Sequence, residues 1–207
     1  MFRIGYDLTV THDPRPSGRR ERKKAATRRG IADAALRMFR ERGYESVGIR
    51  EIAAEADVAV TTLFAHFPSK EALVFEQAAG FEARLIAAVT ERSEGASVVG
   101  ALHEEIGTLV QHCTTGDATG IWRMIDQSPE LSTYAQVLEL RYARAIAASI
   151  GSAPALATSE VAANTIARFA MAAFTLARQS ADPRATLDES FRMIEAAWAA
   201  ARPSQEK

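Results

Sequence analysis

Two short segments with apolar helical faces, joined by only Ala56-Asp57-Val58, constrain this chain more than any other feature. The first begins near Gly48 and puts Ile49, Ile52, Ala53 and Ala56 on one face. The second runs from about Ala59 to Phe67, with Leu63 and Phe67 four residues apart and directed inward. A turn this tight between helices needs a left-handed backbone, which aspartate tolerates better than most residues, so Asp57 takes that place and Val58 points back toward the core. Pro68 ends the second segment, since its ring removes a donor and clashes with the preceding turn, and Ser69 is then placed to cap a new helix. A longer helix comes first, from about Arg22 to Arg42, with Ile31, Ala35, Met38 and Phe39 as its apolar stripe and Gly43 as its left-handed terminator. A long helix followed by two short ones around a three-residue turn is the helix-turn-helix layout.

That layout gives the stretch TTLFAHFPSK (residues 61–70) a reason for its poverty in charge. In a helix-turn-helix the second short helix enters the DNA major groove, where long or acidic side chains would obstruct approach to base edges. Val60, Thr61, Thr62 and Ala65 are small and uncharged. Charge distribution points the same way. The net charge of −1 conceals nine basic and three acidic residues in positions 1–30, against eleven and sixteen in positions 75–207. An anion-binding arm on an acidic body has this signature, and so does a merely solvated tail.

The remaining spacing is helical, with abundant alanine and leucine, so an all-α fold is expected. Residues 1–20 read as a disordered basic tail, residues 21–68 as the helix-turn-helix domain, and residues 69–207 as a helical domain, about nine helices in total. In the last of these, apolar positions keep a helical period from Ser69 to about Arg92, a rod of ~36 Å. Further helices are expected from Ser97 to His112, Asp117 to Asp126, Ser128 to Ile150 (stopped by Gly151), Thr158 to Arg178 and Pro183 to Ala201. A capping-box pattern at Thr186-Leu187-Asp188-Glu189 suggests that regular structure in the final helix starts only there. No apolar run reaches the ~18 residues of a membrane span, and no signal-peptide stretch is evident. With Cys113 as the single cysteine, no internal disulfide can form, and a reducing, cytoplasmic location is expected.

The segment IADAALRMFRERGYESVGIREIAAEADVAVTTLFAHFPSKEALV resembles the N-terminal domain of the tetracycline-repressor (TetR) family of transcriptional regulators. The resemblance spans roughly Arg28 to Val74 and rests on the Gly43-Tyr44 break, the phenylalanine-ending helix and the Pro-Ser-Lys-Glu junction in order. It implies double-stranded operator DNA as a partner. Arg50 would offer a guanidinium fork to guanine, and Val60, Thr61, Thr62 and Phe64 would face the groove. His66 and Lys70 would bond phosphate. An ordinary exposed arginine, or a junction histidine bonded to a nearby carbonyl, would look the same in sequence. Gly48 and Ala59 stand where the family usually has hydroxyl caps, Phe64 where tyrosine is common and Asp57 where glycine is common, departures that imply weaker capping and fewer phosphate contacts. Arg19, Arg20, Arg22, Lys23, Lys24, Arg28 and Arg29 could compensate through phosphate or minor-groove contacts.

The same resemblance implies a small-molecule effector held in the helical body and a homodimer built by the last two helices. Candidates for the effector cavity are Phe81, Leu85, His103, Trp122, Tyr142, Phe169 and Phe174, although large apolar residues are more often plain core. An apolar cavity would favour a hydrophobic or aromatic effector. Phe191, Ile194 and Trp198 form the stripe expected at the dimer interface, which packing within one chain explains equally well. No cofactor, metal site or catalytic set is expected: His103 and His112 lack carboxylates at ligand spacing, and Cys113 beside His112 reads as a small buried hydrophobe. A helical enzyme and a ligand-independent DNA-binding protein are the rival readings.

Overall fold

The computed structural model describes residues 18–93, 95–153, 156 and 158–201. These residues form ten α-helices and, among them, no strand. Most of the tail expected over residues 1–20 lies outside the described residues, but Arg19 and Arg20 are helical. The chain divides into two compact units, one ending at Glu76 and the other beginning at Gln77, eight residues beyond the border expected from Pro68.

The first unit holds α1 (Arg19–Arg42), α2 (Ile49–Glu55), α3 (Val60–His66) and α4 (Glu71–Val74). Ile31, Ala35 and Phe39 of α1 meet Ile52 of α2, Leu63 of α3 and Leu73 of α4 in a closed core, each of them at most 1% exposed. Burial of Ala72 and Leu73 here explains why the border falls after α4: these side chains belong to the core of α1. Gly43 ends α1 with a φ of 85°. Its N–H donates to the Phe39 carbonyl at 2.9 Å.

The second unit holds α5 (Ala78–Thr90), α6 (Val98–Thr114), α7 (Ala118–Gln127), α8 (Pro129–Gly151), α9 (Glu160–Gln179) and α10 (Pro183–Ala201). The expected 36 Å rod is therefore two helices, interrupted at Phe75–Gln77. No glycine or proline causes the break. It falls where allegiance changes, since Leu73 is buried in the first unit and Leu85 and Val89 in the second. This is why ten helices replace nine.

Capping sets the other helix starts. Ser97, Ser128 and Ser159 accept the backbone N–H groups of Gly100, Leu131 and Ala162, and Pro129 opens α8 at its first helical position. Gly151 is the last residue of α8 rather than its stop. In α10 the helix starts at Pro183 and not at Thr186, because the Asp182 carboxylate accepts the Ala185 N–H at 3.0 Å and does the capping itself. Among the described residues no helix is long and apolar enough to cross a membrane.

Candidate functional site

The turn between α2 and α3 closes through two backbone bonds. Val58 N–H donates to the Ala53 carbonyl at 2.9 Å and Asp57 N–H to the Ala54 carbonyl at 3.1 Å, the paired pattern of a Schellman motif. Asp57 sits at the left-handed position with φ of 51°, the only non-glycine residue of positive φ among those described. Aspartate is in the place where glycine would be unstrained, as the sequence led us to expect. Val58 is half-buried.

Neither short helix has a side-chain cap. Gly48 N–H instead donates to Glu51 Oε2 at 2.8 Å, and Arg42 reaches Glu51 Oε1 at 2.7 Å. The Gly48 N–H, followed by the Arg42 guanidinium, holds the Glu51 carboxyl below the usual carboxylate range. The reaching back of Glu51 thus replaces half of the missing capping pair at α2. For α3, the Ala59 carbonyl accepts from Thr62 and Leu63, and no side chain assists.

On α3, Thr61, Phe64 and Ala65 are exposed, Val60, Thr62 and His66 are half-buried, and Leu63 and Phe67 are sealed inside. Phe64 keeps 49% of its surface in solvent, a large apolar group on an otherwise small-residue ridge. Arg50 is exposed and takes part in no ion pair among the described residues, whereas Arg37 and Arg42 are matched to Glu55 and Glu51. A guanidinium without an ion-pair partner is available to an external acceptor.

Two of the basic residues have a structural role as well. The Arg28 guanidinium donates to the His66 carbonyl, lies 4.1 Å from the centre of the Phe67 ring and approaches Glu76 Oε1 at 3.4 Å. It clamps the C-terminal end of α3 to α1, a role the sequence did not disclose because the partners lie 38 residues apart. Lys70 Nζ donates to the Tyr44 carbonyl at 2.6 Å and sits 4.0 Å from the centre of the Tyr44 ring. Tyr44 Oη in turn donates to Glu71 Oε1 at 2.9 Å. Burial raises the Glu71 carboxyl, but bonds from Ser69, its own N–H and Tyr44, with the Lys70 charge, outweigh this and leave it lowered. Lys70, expected as a phosphate ligand, has one donor committed inside the unit and two others remaining. The remaining basic residues Arg19, Arg20, Arg22, Lys23, Lys24 and Arg29 are exposed along α1 and so are held on a helix rather than on a loose arm.

In the second unit the seven expected effector contacts have different surroundings, and His103 and Phe169 stand apart from the rest. Trp122 and Phe174 meet edge to face at 6.1 Å, and Phe81 lies 5.7 Å from the His112 ring. Tyr142 is buried and donates from Oη to the Ala78 carbonyl at 3.1 Å, its phenol pushed up by burial. Leu85 is plain core. His103 instead stacks on Phe191 of α10 at 4.7 Å and bonds Asp188 at 2.9 Å. Phe169 is 48% exposed and faces away from the interior. None of the seven lines the shallow groove between α8 and α9, bordered by Arg144, Glu160 and Asn164, or the groove between α5 and α6. The expected dimer stripe is displaced too: Phe191, Ile194 and Trp198 are buried in their own chain, because α10 packs that face on α6 and α9. Cys113 is buried and its thiol is pushed up to about 12, chiefly by burial. Among the described residues no group of histidine, cysteine and carboxylate side chains could hold a metal ion.

Two groups near Arg84 are shifted by burial, in opposite directions. Burial, then the Arg84 charge, lowers His112 below its ordinary 6.5. The neutral ring is favoured in the folded chain, so its contribution to stability is complete above about 6.5 and is lost as pH falls through the lowered folded value. Glu105, raised by burial against the pull of Arg84, acts in the opposite sense, contributing below its ordinary 4.5 and losing that contribution as pH rises through its folded value. His112→Leu is therefore expected to flatten the fall in urea midpoint between pH 7.5 and 5.5 relative to the parent. Equal slopes in the two proteins would count against this account.

A closed first unit with an uncharged, groove-sized helix on its surface and an exposed arginine on the preceding short helix defines a helix-turn-helix DNA-binding protein. Residues 31–76 match the model of bacterial regulatory proteins, tetR family. The HTH-type transcriptional regulator TcmR of Streptomyces glaucescens is 27% identical over 150 residues, covering 67% of this chain and 66% of TcmR. The HTH-type transcriptional repressor KstR of Mycolicibacterium smegmatis is 45% identical over 74 residues, 36% of this chain and 33% of KstR. The chain thus spans just under two thirds of the first relative and about a third of the second. The crystal structure of the TetR family repressor AlkX from Dietzia sp. strain DQ12-45-1b superposes with a TM-score of 0.59 at 17% identity, over 84% of this chain and 98% of that one, and shows a shared fold.

Proposed function

We propose that this chain is a transcriptional regulator, a repressor, that binds a palindromic operator as a homodimer and is released by a small hydrophobic effector. The observation that carries the reading is the surface of α3. Val60, Thr61, Thr62, Phe64 and Ala65 offer a ridge without charge, with Arg50 exposed on α2 and six cations exposed between Arg19 and Arg29 of α1. Thymine methyls suit the apolar members, guanine suits Arg50, and phosphates suit His66, the spare donors of Lys70 and the α1 cations. That KstR and AlkX are named repressors supports the sign of regulation.

A helix of seven residues reads few bases, so specific binding calls for two copies. The surface of α9 and α10 supports a second copy as the partner: Phe169, Leu176 and Met193 are 48%, 58% and 64% exposed, with Ala172 and Ala197 exposed among them. Phe169 and Leu176 lie seven residues apart on one face of α9. Such apolar groups with small residues between them permit close helix approach across a two-fold axis.

Selection of bound fragments from random duplexes at two salt concentrations tests the reading. An inverted repeat with half-sites about 34–36 Å apart is expected, with affinity falling steeply as salt rises. Recovery of fragments with no base preference would overturn it.

A further inference from the structure

Arg178, near the end of α9, is the most deeply buried charge that the structure ties to a specific partner. Its side chain is only 7% exposed, and it meets Asp126 of α7 through two parallel bonds, Nη1 to Oδ2 and Nη2 to Oδ1, both 2.9 Å. The guanidinium lies 4.3 Å from the centre of the Trp122 ring, which also abuts Phe174. The Nε–H, by contrast, is buried and has no hydrogen-bond partner among the described residues. A buried donor left without an acceptor costs about 1–3 kcal/mol, and native chains rarely keep one without a reason.

The surroundings say what kind of acceptor fits. Asp126 already balances the Arg178 charge, so the site lacks an acceptor and not an anion. Glu139, close enough to feel the Arg178 charge and bonded to Thr175, adds a carboxyl that would repel a further negative group. Cys113 stays a thiol and adds no charge. The walls are flat and apolar, made by Trp122 and Phe174. Access lies on the α7 side. Ile125 is the only fully buried side chain of that ten-residue helix, Trp122 is half-exposed, and the Asp126 carboxylate is 41% exposed.

We infer that Arg178 Nε is the polar anchor of the effector site, and that the effector is a neutral, flat, largely apolar molecule with a carbonyl oxygen at one edge. The carbonyl accepts from Nε–H while the ring system lies against Trp122 and Phe174, and Asp126 keeps the charge balance. The site rests on the effector reading above and adds the chemistry of the ligand. It also explains why Trp122 and Phe174, alone among the seven sequence candidates, share a polar neighbour with an unmet bond.

Three probes on one tricyclic frame separate the possibilities: 9-fluorenone, fluorene, and fluorene-9-carboxylate, titrated calorimetrically into the intact protein without DNA. Fluorenone is expected to bind about tenfold more tightly than fluorene, the effect of one buried hydrogen bond, and the carboxylate more weakly than the ketone. Arg178→Lys keeps the charge but removes the Nε donor, and is expected to bring the ketone-to-hydrocarbon ratio to about one while fluorene binding persists. Equal binding of fluorenone and fluorene to the parent protein, tighter binding of the carboxylate, or no binding of fluorenone overturns the inference. So does a ratio that survives in Arg178→Lys. Should that variant fail to fold, as judged by circular dichroism, the probe ratios of the parent protein decide alone. Because no DNA is present, a protein that shows the preference yet ignores base sequence would refute the regulator reading and leave this site standing.

Discussion

A chain carrying Phe169→Glu together with Leu176→Glu is expected to be folded, monomeric and about 10²–10⁴-fold weaker on its operator. Both side chains are about half exposed in one copy, so charging them costs little in the isolated chain. In a two-fold interface each meets its apolar counterpart, and burying a leucine or phenylalanine there contributes about 1.5–3 kcal/mol that the carboxylates forfeit. Analytical ultracentrifugation beside a fluorescence-anisotropy titration of the selected operator reads both consequences. Trp198→Ala gives the contrasting result. Trp198 is 3% exposed in its own chain, so its truncation is expected to destabilise the fold by about 3–5 kcal/mol. A double glutamate variant that remains dimeric would show that α9 does not form the axis.

Phe67→Ala is expected to cost the first unit about 3–5 kcal/mol, enough to abolish operator binding at 37 °C while the second unit keeps its helicity. Phe67 is wholly buried at the end of α3, with the Arg28 guanidinium over its ring. Arg28→Met separates position from charge. It removes the bond to the His66 carbonyl and the ion pair to Glu76 while keeping an apolar stem over Phe67. Its operator affinity is expected to fall at low as well as high salt, because a mis-set α3 loses base contacts, whereas Arg19→Met should flatten the salt dependence and little else. Thermal unfolding with salt-dependent anisotropy distinguishes the two, and an Arg28→Met protein that loses only salt dependence would make Arg28 a simple phosphate ligand.

The first unit was largely legible in the sequence, and the reason is local. Asp57, Gly43, Pro68 and the i, i+4 pair Leu63 and Phe67 each fix conformation within a few residues, and periodicity alone places α1 to α3. Errors arose where distant packing decides. The break between α4 and α5 has no glycine or proline to announce it and follows from two cores competing for one helix. The last helix has its expected bounds, Pro183 to Ala201, and only the later start suggested at Thr186 fails, because two possible caps, Asp182 and Thr186, lie four residues apart and only the backbone geometry chooses. Among the expected DNA contacts, Arg50 and the α3 residues Val60, Thr61, Thr62 and Phe64 lie exposed or half-buried. Phe191, Ile194 and Trp198 form an apolar stripe that spacing finds, but spacing cannot say whether the surface it meets is its own chain or another. Arg28 and Arg178 acquire their meaning from partners 38 and 52 residues away.

The start of α1 sets like charges one turn apart, Arg19 with Lys23 and Arg20 with Lys24, at the helix end whose dipole already disfavours cations. In free protein those residues strain against one another and against the peptide dipoles. A polyphosphate laid alongside would relieve both repulsions at once, so the opening turns of this helix should fray in dilute salt and tighten on any dense anion. The cations that attract the nucleic acid would then be the part of the molecule most firmly ordered by its arrival.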